Sequence, residues 1–436
     1  MFKKIHSAAR KQWRQFAKWV VSHLPRKQRF KIIRSMVDCN PKPNEHLVLK
    51  LAETKEELEA CFSLLHNAYV ESGFMTPDPS GLRVTIYHAL PTTTTLCAKY
   101  DGKVVGTVSL IRESALGIPL QRIFDLSAVR IKEGQIAEVS ALAIHRNFRR
   151  TGGSILFPLI KFMYEYCTTC FDTRHLVIAV NPRHIEMYES LLCFTRLTAN
   201  VVESYDFVNG APAVGATLDL REAPELFRKH YASKPARQNL YTYFMKSKLP
   251  NIQFPRRRFF TTNDPVLSPE LIDYFFNVRT NTFKNLSPRK KALLQTTYDL
   301  PDYRAVLPAV EDNQEGAAPT RSHPRFSVKC PAQVAFTTPD GKEEIPILVV
   351  EVSRYGFRAR SDKNLPLNTW FDTTIKLGSS DTSHVRSQAL RAHDYGQNGF
   401  YGFSLGEPDI IWQKFVSALY KSKIYSDLES ATRFLH

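Results

Sequence analysis

The spacing of apolar residues between positions 95 and 194 alternates between the period of a strand and the period of a helix. Asp101-Gly102 lies between two apolar runs, and this dipeptide is typical of a tight β-hairpin. After the apolar run 138–144, apolar residues recur every three or four positions, which predicts a helix that begins at about Ser154. The predicted elements are, in order, a hairpin (95–100 and 103–111), a strand (138–144), a helix, a strand (175–180) and a helix (185–194).

The C-terminal part of the chain has a different pattern, with short alternating runs and one helical stretch. Many short strands before one terminal helix predict a small antiparallel β-barrel. A polar stretch with small residues and a proline precedes this part and predicts a flexible linker. The segments concerned are the linker (311–320), the strands (326–336, 345–353 and 398–405) and the helix (409–420).

The loop between the strand 138–144 and the helix that follows it is basic and contains paired glycines. A helix N-terminus leaves its first N–H groups unpaired and carries a partial positive charge, so it stabilises an anion. Gly152 and Gly153 place no side chain between those amides and a phosphate, while Arg149 and Arg150 add positive charge. The sequence therefore predicts a phosphate-binding loop, with an ordinary turn and solvated arginines as the alternative.

The acyl-donor loop of the GNAT acyltransferase superfamily, Gln/Arg-x-x-Gly-x-Gly/Ala, resembles RRTGGS of this chain, with Ser154 in the last, small-residue position. Over about residues 48–310 the chain is similar to the N-acyl amino acid synthases, relatives of the acyl-homoserine lactone synthases, chiefly in EVSALAI and PRHIEMYESLLCF. Ala141 stands where these enzymes usually have arginine, and Cys193 where glycine is usual. The resemblance implies an acyltransferase that takes its acyl chain from an acyl carrier protein.

The resemblance also implies where the acyl donor binds. The thioester carbonyl would meet backbone amides of the strand from Leu142 to Ile144. The phosphate of the pantetheine arm would meet the amides from Gly152 to Ser154 in the donor loop, the name used here for residues 149–154. No tightly bound cofactor and no metal site are expected.

Three side chains are candidates for the chemistry of acyl transfer. An amine attacks only when it is neutral, and Glu138 is the candidate base or amine-orienting group, with a surface or strand-pairing glutamate as the alternative. The resemblance implies that Tyr188 protonates the departing thiolate, although a tyrosine on an amphipathic helix is more often part of a core. His184 is a candidate for binding the acceptor carboxylate, but capping of the helix is favoured for it.

Positive charge near the donor loop predicts an acidic or anionic partner. Acyl carrier proteins are acidic, and a basic rim would steer one towards the loop. Coenzyme A thioesters are also anionic, so charge does not decide between the two donors. The basic residues expected at this rim are Arg146, Arg149, Arg150 and Lys161, joined by Arg256, Arg257 and Arg258.

The C-terminal barrel resembles a PilZ domain, the bacterial receptor module for cyclic di-GMP. Its ligand signature, Arg-x-x-x-Arg followed by Asp/Asn-x-Ser-x-x-Gly, is matched by Arg321 and Arg325 and then by Glu351, Ser353 and Gly356. Guanidinium groups can bind phosphate or the acceptor edge of guanine in a bidentate manner. Glutamate in place of aspartate or asparagine adds a methylene, so the resemblance implies cyclic di-GMP binding with Glu351 as its weakest match; a degenerate barrel used for docking is the alternative.

Residues 1–40 carry eleven lysines and arginines against the single acidic residue Asp38, in a chain with a formal net charge of +17. Before Pro25 the apolar residues recur at helical spacing, which predicts a basic amphipathic helix that lies on an anionic membrane surface through residues 1–37. A helix packed on the enzyme body or a nucleic-acid arm are the alternatives, and no nucleic-acid partner is expected. Seven scattered cysteines, an odd number, argue against a secreted disulfide framework.

These patterns together predict an α+β chain, in which a GNAT-like mixed sheet flanked by helices is followed by a small antiparallel, PilZ-like barrel and a C-terminal helix. The expected function is transfer of a long acyl chain from acyl carrier protein to the amine of an amino acid by a bacterial, cytoplasmic and peripheral membrane enzyme under cyclic di-GMP control. An acyl-CoA-dependent GNAT that acts on another amine and a non-catalytic cyclic di-GMP effector stay open. The expected regions are the basic segment (1–40), the acyltransferase (48–310), the linker (311–320) and the barrel (321–430).

Overall fold

The structure is a computed structural model, and several predicted features lie outside the residues that it describes. Those features are the basic helix before Pro25, the linker, and two predicted ligand residues, Arg150 and Arg321. The described residues are 23–132, 134–149, 151–265, 267–298, 301–309, 325–339, 341–395 and 398–420.

The N-terminal region up to position 309 contains one mixed sheet and most of the helices. Its strands are β1 (Leu47–Leu51), β2 (Thr93–Tyr100), β3 (Lys103–Arg112), β4 (Gln135–Ile144), β5 (Thr173–Val180), β6 (Thr195–Arg196), β7 (Val202–Tyr205) and β8 (Ala211–Asp219). Its helices are α1 (Arg26–Ser35), α2 (Lys55–Glu71), α3 (Ser127–Arg130), α4 (Leu156–Cys170), α5 (Ile185–Leu191), α6 (Ala223–Tyr231), α7 (Pro269–Asp273) and α8 (Pro288–Thr297), with short 3-10 turns that include Ile86–Ala89 and Pro119–Arg122.

The sheet has the order β1-β2-β3-β4-β5-β8-β6, and β7 pairs with β8. The pairing of β4 with β5 is parallel, whereas the other pairs are antiparallel. The predicted hairpin is confirmed, because Tyr100 pairs with Lys103 and both turn residues, Asp101 and Gly102, have positive φ values of 47° and 75°. The mixed sheet flanked by helices is therefore the expected one.

Helices cover both faces of the sheet and give it two apolar cores. The core on one face is built around α4 and includes Phe162 and Tyr166, and the core on the other face includes Phe62 of α2. Helix α4 begins at Leu156, two residues later than predicted, because residues 152–155 form a turn. Helix α5 ends at Leu191 rather than at 194, and Cys193 just beyond it has a left-handed φ of 61°.

The C-terminal strands close into the expected antiparallel barrel, with the order β10-β11-β14-β13-β12-β9. The terminal helix α9 packs against it, and Trp412 and Phe415 of that helix are fully buried. The elements are β9 (Phe326–Thr338), β10 (Gly341–Ser353), β11 (Gly356–Ser361), β12 (Trp370–Lys376), β13 (Thr382–Tyr395), β14 (Asn398–Leu405) and α9 (Ile410–Tyr420).

A segment of the N-terminal region, residues 256–264, pairs with the barrel and is called the joining segment below. The amide of Phe260 donates to the carbonyl of Leu377 at 2.9 Å, and the amide of Lys329 donates to the carbonyl of Phe260 at 2.8 Å. Phe259 is 3% exposed and lies in the barrel core, with its ring centroid 4.9 Å from that of Phe415. The joining segment thus supplies a side chain and backbone hydrogen bonds to the barrel.

A buried polar cluster fixes the joining segment to the sheet. The guanidinium of Arg257 lies 2.5 Å from Asp264 and donates to the hydroxyl of Tyr166 on α4 at 2.8 Å. Asp264 also accepts from Tyr166 at 2.7 Å and lies 3.9 Å from Arg112 of β3. The side chains of Arg257 and Asp264 are 11% and 9% exposed, so each charge depends on the other for compensation.

Helix α1 docks on helix α5 through ion pairs. Arg26 lies 2.5 Å from Glu189, Arg29 pairs with Glu186, and Arg34 donates to the carbonyl of Ser190 at 2.8 Å. These three basic side chains therefore contact the rest of the protein. This agrees with the alternative in which the basic segment packs on the enzyme body. None of the helices in the described ranges is long and apolar enough to span a membrane.

Candidate active site

Strands β4 and β5 part in the middle of the sheet. Their ladder runs from Gln135, opposite Thr173, to Glu138, opposite Val177. Beyond Glu138, β4 still pairs with β3, but among the described residues it no longer pairs with β5. The edge of β4 that faces β5 is therefore open where the donor loop approaches.

A β-bulge lies on β4 just after the point of divergence. Ser109 of β3 pairs with Ser140, and Thr107 pairs with Ala143, so two residues of β4 oppose one residue of β3. Ala141 in the bulge has a φ of 54°, a left-handed conformation that is uncommon for alanine. The bulge turns Ala141 and Ala143 towards α2, while Leu142 packs on the α4 side.

The register directs the amide of Ile144 into the gap between β4 and β5. His145 donates to the carbonyl of Val105, and antiparallel partners alternate between hydrogen-bonded and non-hydrogen-bonded pairs. Ile144, opposite Gly106, is in a non-hydrogen-bonded pair, so its N–H points away from β3. Leu142 is the second residue of the bulge. The amide of Ile144, which points into the gap, can bind an oxygen that develops negative charge.

The donor loop presents two glycine amides. Gly152 and Gly153 have φ values of 66° and 85°, and neither amide has a hydrogen-bond acceptor in the part of the chain that the structure describes. A Cβ on Gly153 would lie 2.6 Å from the ring of Phe157, so only glycine fits there. The amide of Ser154, in contrast, donates to the carbonyl of Thr151 at 3.3 Å within the turn.

An ion pair between Arg237 and Asp38 lies beside the donor loop, with the carboxylate nearer to it, and the sequence did not predict this pair. Arg237 makes two hydrogen bonds to the carboxylate of Asp38, at 2.7 and 2.9 Å. Asp38 in turn would lie 3.8 Å from a Cβ placed on Gly152. No local pattern signals this arrangement, because Arg237 follows the donor loop by more than eighty positions and reaches it only through the fold.

The predicted basic rim is partly wrong. Lys161 is 0% exposed, and its ammonium group lies 2.6 Å from Glu165 and donates to the carbonyl of Phe244. Arg257 belongs to the buried cluster on the joining segment, and Arg258 pairs with Asp381 next to the barrel. Of the remaining rim residues, Arg146 is exposed, and Arg149 pairs with Glu71 at 2.7 Å.

Glu138 is buried at the divergence of β4 and β5. Its side chain is on the face that α2 covers, between Ile111 and Val177, and the residue is 3% exposed. Its carboxylate accepts a hydrogen bond of 2.8 Å from the amide of Leu120 in the turn Pro119–Arg122. Burial raises the pKa of Glu138 to about 8, against the opposing effect of the Leu120 amide. Glu138 is therefore not a surface glutamate, although it does pair with both neighbouring strands, and its role as base stays a prediction.

Three tyrosines lie within electrostatic reach of Glu138, and a fourth lies within reach of one of them. Burial, and then the negative charge of Glu138, raise the pKa values of Tyr69, Tyr87 and Tyr205. Tyr205 is 3% exposed, and its hydroxyl group has no hydrogen-bond partner among the described residues. Tyr188 of α5 lies within electrostatic reach of Tyr69, and burial raises its pKa to about 12. Tyr188 can therefore donate a hydrogen bond to a thiolate while keeping its own proton.

His184 occupies the N-terminal cap position of α5, but its exposed side chain makes no capping hydrogen bond. The interpretation of this side chain as a helix cap is therefore wrong. The described residues contain no group of three or more histidine, cysteine or acidic side chains that could hold a metal ion.

The described part of the barrel signature lies together at one end of β10. Arg325 forms an ion pair of 2.5 Å with Glu351, and the side chains are 43% and 28% exposed. The hydroxyl of Ser353 donates to the carbonyl of Gly356 at 3.0 Å. A Cβ on Gly356 would lie 2.4 Å from the carbonyl oxygen of Phe403, so this glycine is required by its neighbouring strand.

Comparison with known proteins agrees with this geometry. Residues 60–219, which span β2 to β8 and include Glu138 and the donor loop, match the sequence model of the N-acyl amino acid synthase FeeM family. The chain is an acyltransferase, and the matched residues, which contain the open edge of β4, are called the synthase domain below. No curated protein matches the chain.

Three solved structures are similar to parts of this chain. FeeM, an N-acyl amino acid synthase from uncultured soil microbes, is 25% identical, with 41% of this chain and 93% of that chain covered and a TM-score of 0.35. The CoA-dependent acyl-homoserine lactone synthase BjaI, with SAM and isopentyl-CoA, is 20% identical, with 48% and 92% covered and a TM-score of 0.35. YcgR of Escherichia coli in complex with c-di-GMP is 15% identical, with 26% and 47% covered and a TM-score of 0.21. Because all three TM-scores lie below 0.5, the assignment of the synthase domain rests on the family match.

Proposed function

We propose that the chain transfers a long acyl chain from acyl carrier protein to the amine of an amino acid at the divergence of β4 and β5. The observation that carries this proposal is the buried carboxyl group of Glu138, at the point where the open edge of β4 begins. An acyl thioester laid along this edge would have its carbonyl near the amide of Ile144 and its phosphate at Gly152 and Gly153.

The chemistry of the transfer follows from the groups around this edge. Glu138, when ionised, takes the proton of the acceptor ammonium directly or through water, and the neutral amine attacks the thioester carbonyl. The amide of Ile144 stabilises the negative oxygen of the tetrahedral intermediate. The carbon–sulfur bond then breaks, and Tyr188 donates a hydrogen bond to the leaving thiolate. The thiolate takes up the second proton, which the nitrogen loses as it becomes an amide, and the first proton passes from Glu138 to water. The products are an N-acyl amino acid and a free thiol.

The phosphate site predicts a strong effect of Gly153→Ala. The methyl group would meet the ring of Phe157 at 2.6 Å on a backbone with a φ of 85°, so the loop must shift. Because small misplacements of a bound reactant have large kinetic effects, we expect kcat/KM for the acyl donor to fall by up to about 10²-fold. Steady-state kinetics with varied donor would measure it. Gly102→Ala is the matched control, because Gly102 has a φ of 75° at the hairpin tip with no atom within 4 Å of the added methyl group.

The identity of the donor requires a direct comparison. Acyl carrier protein and coenzyme A present the same phosphopantetheine thioester, so the donor loop alone would accept either. We propose the carrier protein because Arg146 is exposed beside the loop and could contact an acidic protein surface. Turnover with acyl-acyl carrier protein is expected to exceed turnover with the matching acyl-CoA; equal turnover, lost equally with added salt, would favour coenzyme A.

We further propose that the barrel binds cyclic di-GMP and that this binding changes turnover. The proposal rests on the proximity of Arg325, Glu351, Ser353 and Gly356, and it requires that ligand phosphate or guanine take the place of Glu351 at Arg325. A ligand changes activity only if it binds the active and less active arrangements differently. The joining segment is one described connection through which such a difference could reach α4, and the ion pair of Lys329 with Asp172 is another.

The ion pair of Arg325 gives a prediction with opposite signs for its two partners. Arg325→Ala is expected to weaken cyclic di-GMP binding by about tenfold or more, because charge-assisted hydrogen bonds are lost. Glu351→Asn, which frees the guanidinium, is expected to tighten binding. Titration calorimetry of the full chain would measure both, and equal affinities for the wild type and Arg325→Ala would contradict the assignment.

A further inference from the structure

The surroundings of Glu138 contain an arginine without an acidic partner. Arg83 is half-buried, and its guanidinium lies 4.2 Å from the ring centroid of Tyr69 and 5.1 Å from that of Phe207. It donates to the carbonyl of Phe207 at 2.7 Å. Within the described ranges, no carboxylate forms an ion pair with Arg83, whereas the buried Arg257 and Arg112 both face Asp264. An arginine stays charged when it is buried, so the charge of Arg83 is uncompensated.

Two unpartnered polar atoms lie within electrostatic reach of Arg83. One is the hydroxyl group of Tyr205, which is 3% exposed. The other is Nε2 of His88, a residue that is 9% exposed. Nδ1 of His88 accepts from the amide of Thr85 at 3.0 Å, so in the neutral ring the proton is on Nε2. Burial and then the charge of Arg83 lower the pKa of His88 to about 4, which keeps the ring neutral. Arg83, His88 and Tyr205 thus supply one cation and two polar donors, and neither donor has a hydrogen-bond partner among the described residues.

Glu138 and Arg83 act on the same tyrosines with opposite charges. The charge of Arg83 lowers the pKa of Tyr69, whereas the charge of Glu138 raises it, although burial has the largest effect. Tyr205 also lies within reach of both groups. Both tyrosines are therefore within electrostatic reach of a carboxyl group, which suits an amine, and of a guanidinium, which suits a carboxylate. An α-amino acid carries these two groups on one carbon atom.

We propose that Arg83 binds the carboxylate of the acceptor amino acid, with His88 Nε2 and the Tyr205 hydroxyl as additional donors, and so directs its amine towards Glu138. This inference rests on the proposed acyl transfer and adds the basis of its selectivity for amino acids over simple amines. Arg83 acts as a binding and positioning residue, whereas Glu138 handles the proton.

The test compares an amino acid with the corresponding amine that lacks the carboxylate, at a fixed acyl donor. The wild type is expected to favour the amino acid by about 10- to 100-fold in kcat/KM, since a charge-assisted hydrogen bond contributes about 1.5–3 kcal/mol. Arg83→Met, which keeps an apolar stem on the ring of Tyr69, is expected to raise KM for the amino acid by that factor and so to remove most of the preference for the amino acid over the amine. Arg83→Lys is expected to retain part of the preference.

Controls separate this inference from the proposed function. Arg386→Met removes an arginine that lies 5.6 Å from the ring centroid of Trp370 on the barrel, and it is expected to leave the preference intact. If amino acids are acylated but the wild type uses the amine equally well, the role of Arg83 is wrong and acyl transfer stands. If Arg83→Met keeps the full preference, the role of Arg83 is again wrong. Acylation of neither acceptor would overturn the proposed function itself. The wild-type comparison stands even if Arg83→Met fails to fold.

Discussion

Replacement of Glu138 by glutamine is expected to lower kcat by about 10²- to 10⁴-fold, the usual contribution of a positioned general base. Glutamine has nearly the same shape, and its carbonyl oxygen can still accept from the amide of Leu120, which Glu138 now accepts at 2.8 Å. It cannot take a proton from the acceptor amine. The loss should therefore be in kcat and kcat/KM alike, with little change in the affinity for the acyl donor.

The pH dependence of turnover tests the same residue. A base works only when it is unprotonated, and burial raises the pKa of Glu138 to about 8. We expect kcat/KM of the wild type to rise about tenfold per pH unit below 8 and to level off above it. In Glu138→Gln this rise should be absent. Glu57→Gln is the matched control. Glu57 is also a buried carboxylate, but it forms ion pairs with Lys50 and Lys99 of the outer strands β1 and β2.

The free energy of unfolding should fall as the pH rises, whereas turnover should increase. The folded-state pKa of Glu138 lies above the ordinary value of 4.5, so its contribution to stability is fully present below 4.5 and is lost as the pH rises through about 8. Glu138→Gln removes this contribution, and its free energy of unfolding should depend less on pH in that interval.

A turnover profile without a rise towards pH 8 in the wild type would contradict the assignment of Glu138 as base.

Asp264→Asn is expected to lower the free energy of unfolding by about 3–5 kcal/mol, the usual cost of removing one partner from a buried ion pair. Asp264 faces Arg257 at 2.5 Å and Arg112 at 3.9 Å, and its side chain is 9% exposed. Asparagine keeps the shape but leaves both guanidinium charges uncompensated. The cluster also receives the hydroxyl of Tyr166 on α4, so the joining segment should loosen from the synthase domain.

Urea unfolding of the full chain, followed by circular dichroism, would measure this loss. Glu225→Gln is the matched control, because Glu225 pairs with Arg228 at the surface with 67% of its side chain exposed, and little change is expected there. A midpoint for Asp264→Asn within error of the wild type would show that the buried cluster does not hold the joining segment.

The sequence predicts those features of the fold that depend on local patterns. Asp101-Gly102 has the dihedral angles of a tight hairpin, Gly153 has a left-handed backbone against Phe157, and the C-terminal strands close into the expected barrel. Ala141 and Cys193, which differ from the usual residues of similar synthases, both have positive φ values of 54° and 61°. A left-handed φ just after a helix favours glycine, which agrees with glycine as the usual residue at position 193, whereas the φ of Ala141 is part of the β-bulge.

Features that depend on long-range contacts could not be predicted from the sequence. Arg83 and Tyr205 approach Glu138 from separate segments, and no spacing along the chain connects them. Lys161 has the sequence environment of an exposed residue on an amphipathic helix, but the carbonyl of Phe244, which is distant in sequence, accepts its ammonium and allows it to be buried. Arg237 reaches the donor loop in the same way, through its pairing with Asp38.

The most direct test is to incubate the purified full chain with an acyl-acyl carrier protein, or with the matching acyl-CoA, and a mixture of amino acids, and to identify the products by mass spectrometry. The wild type is expected to form an N-acyl amino acid and to release one thiol for each molecule formed, and Glu138→Gln is expected to form little of either. A folded wild-type protein that forms no acylated amino acid with both donors would contradict acyl transfer at the divergence of β4 and β5.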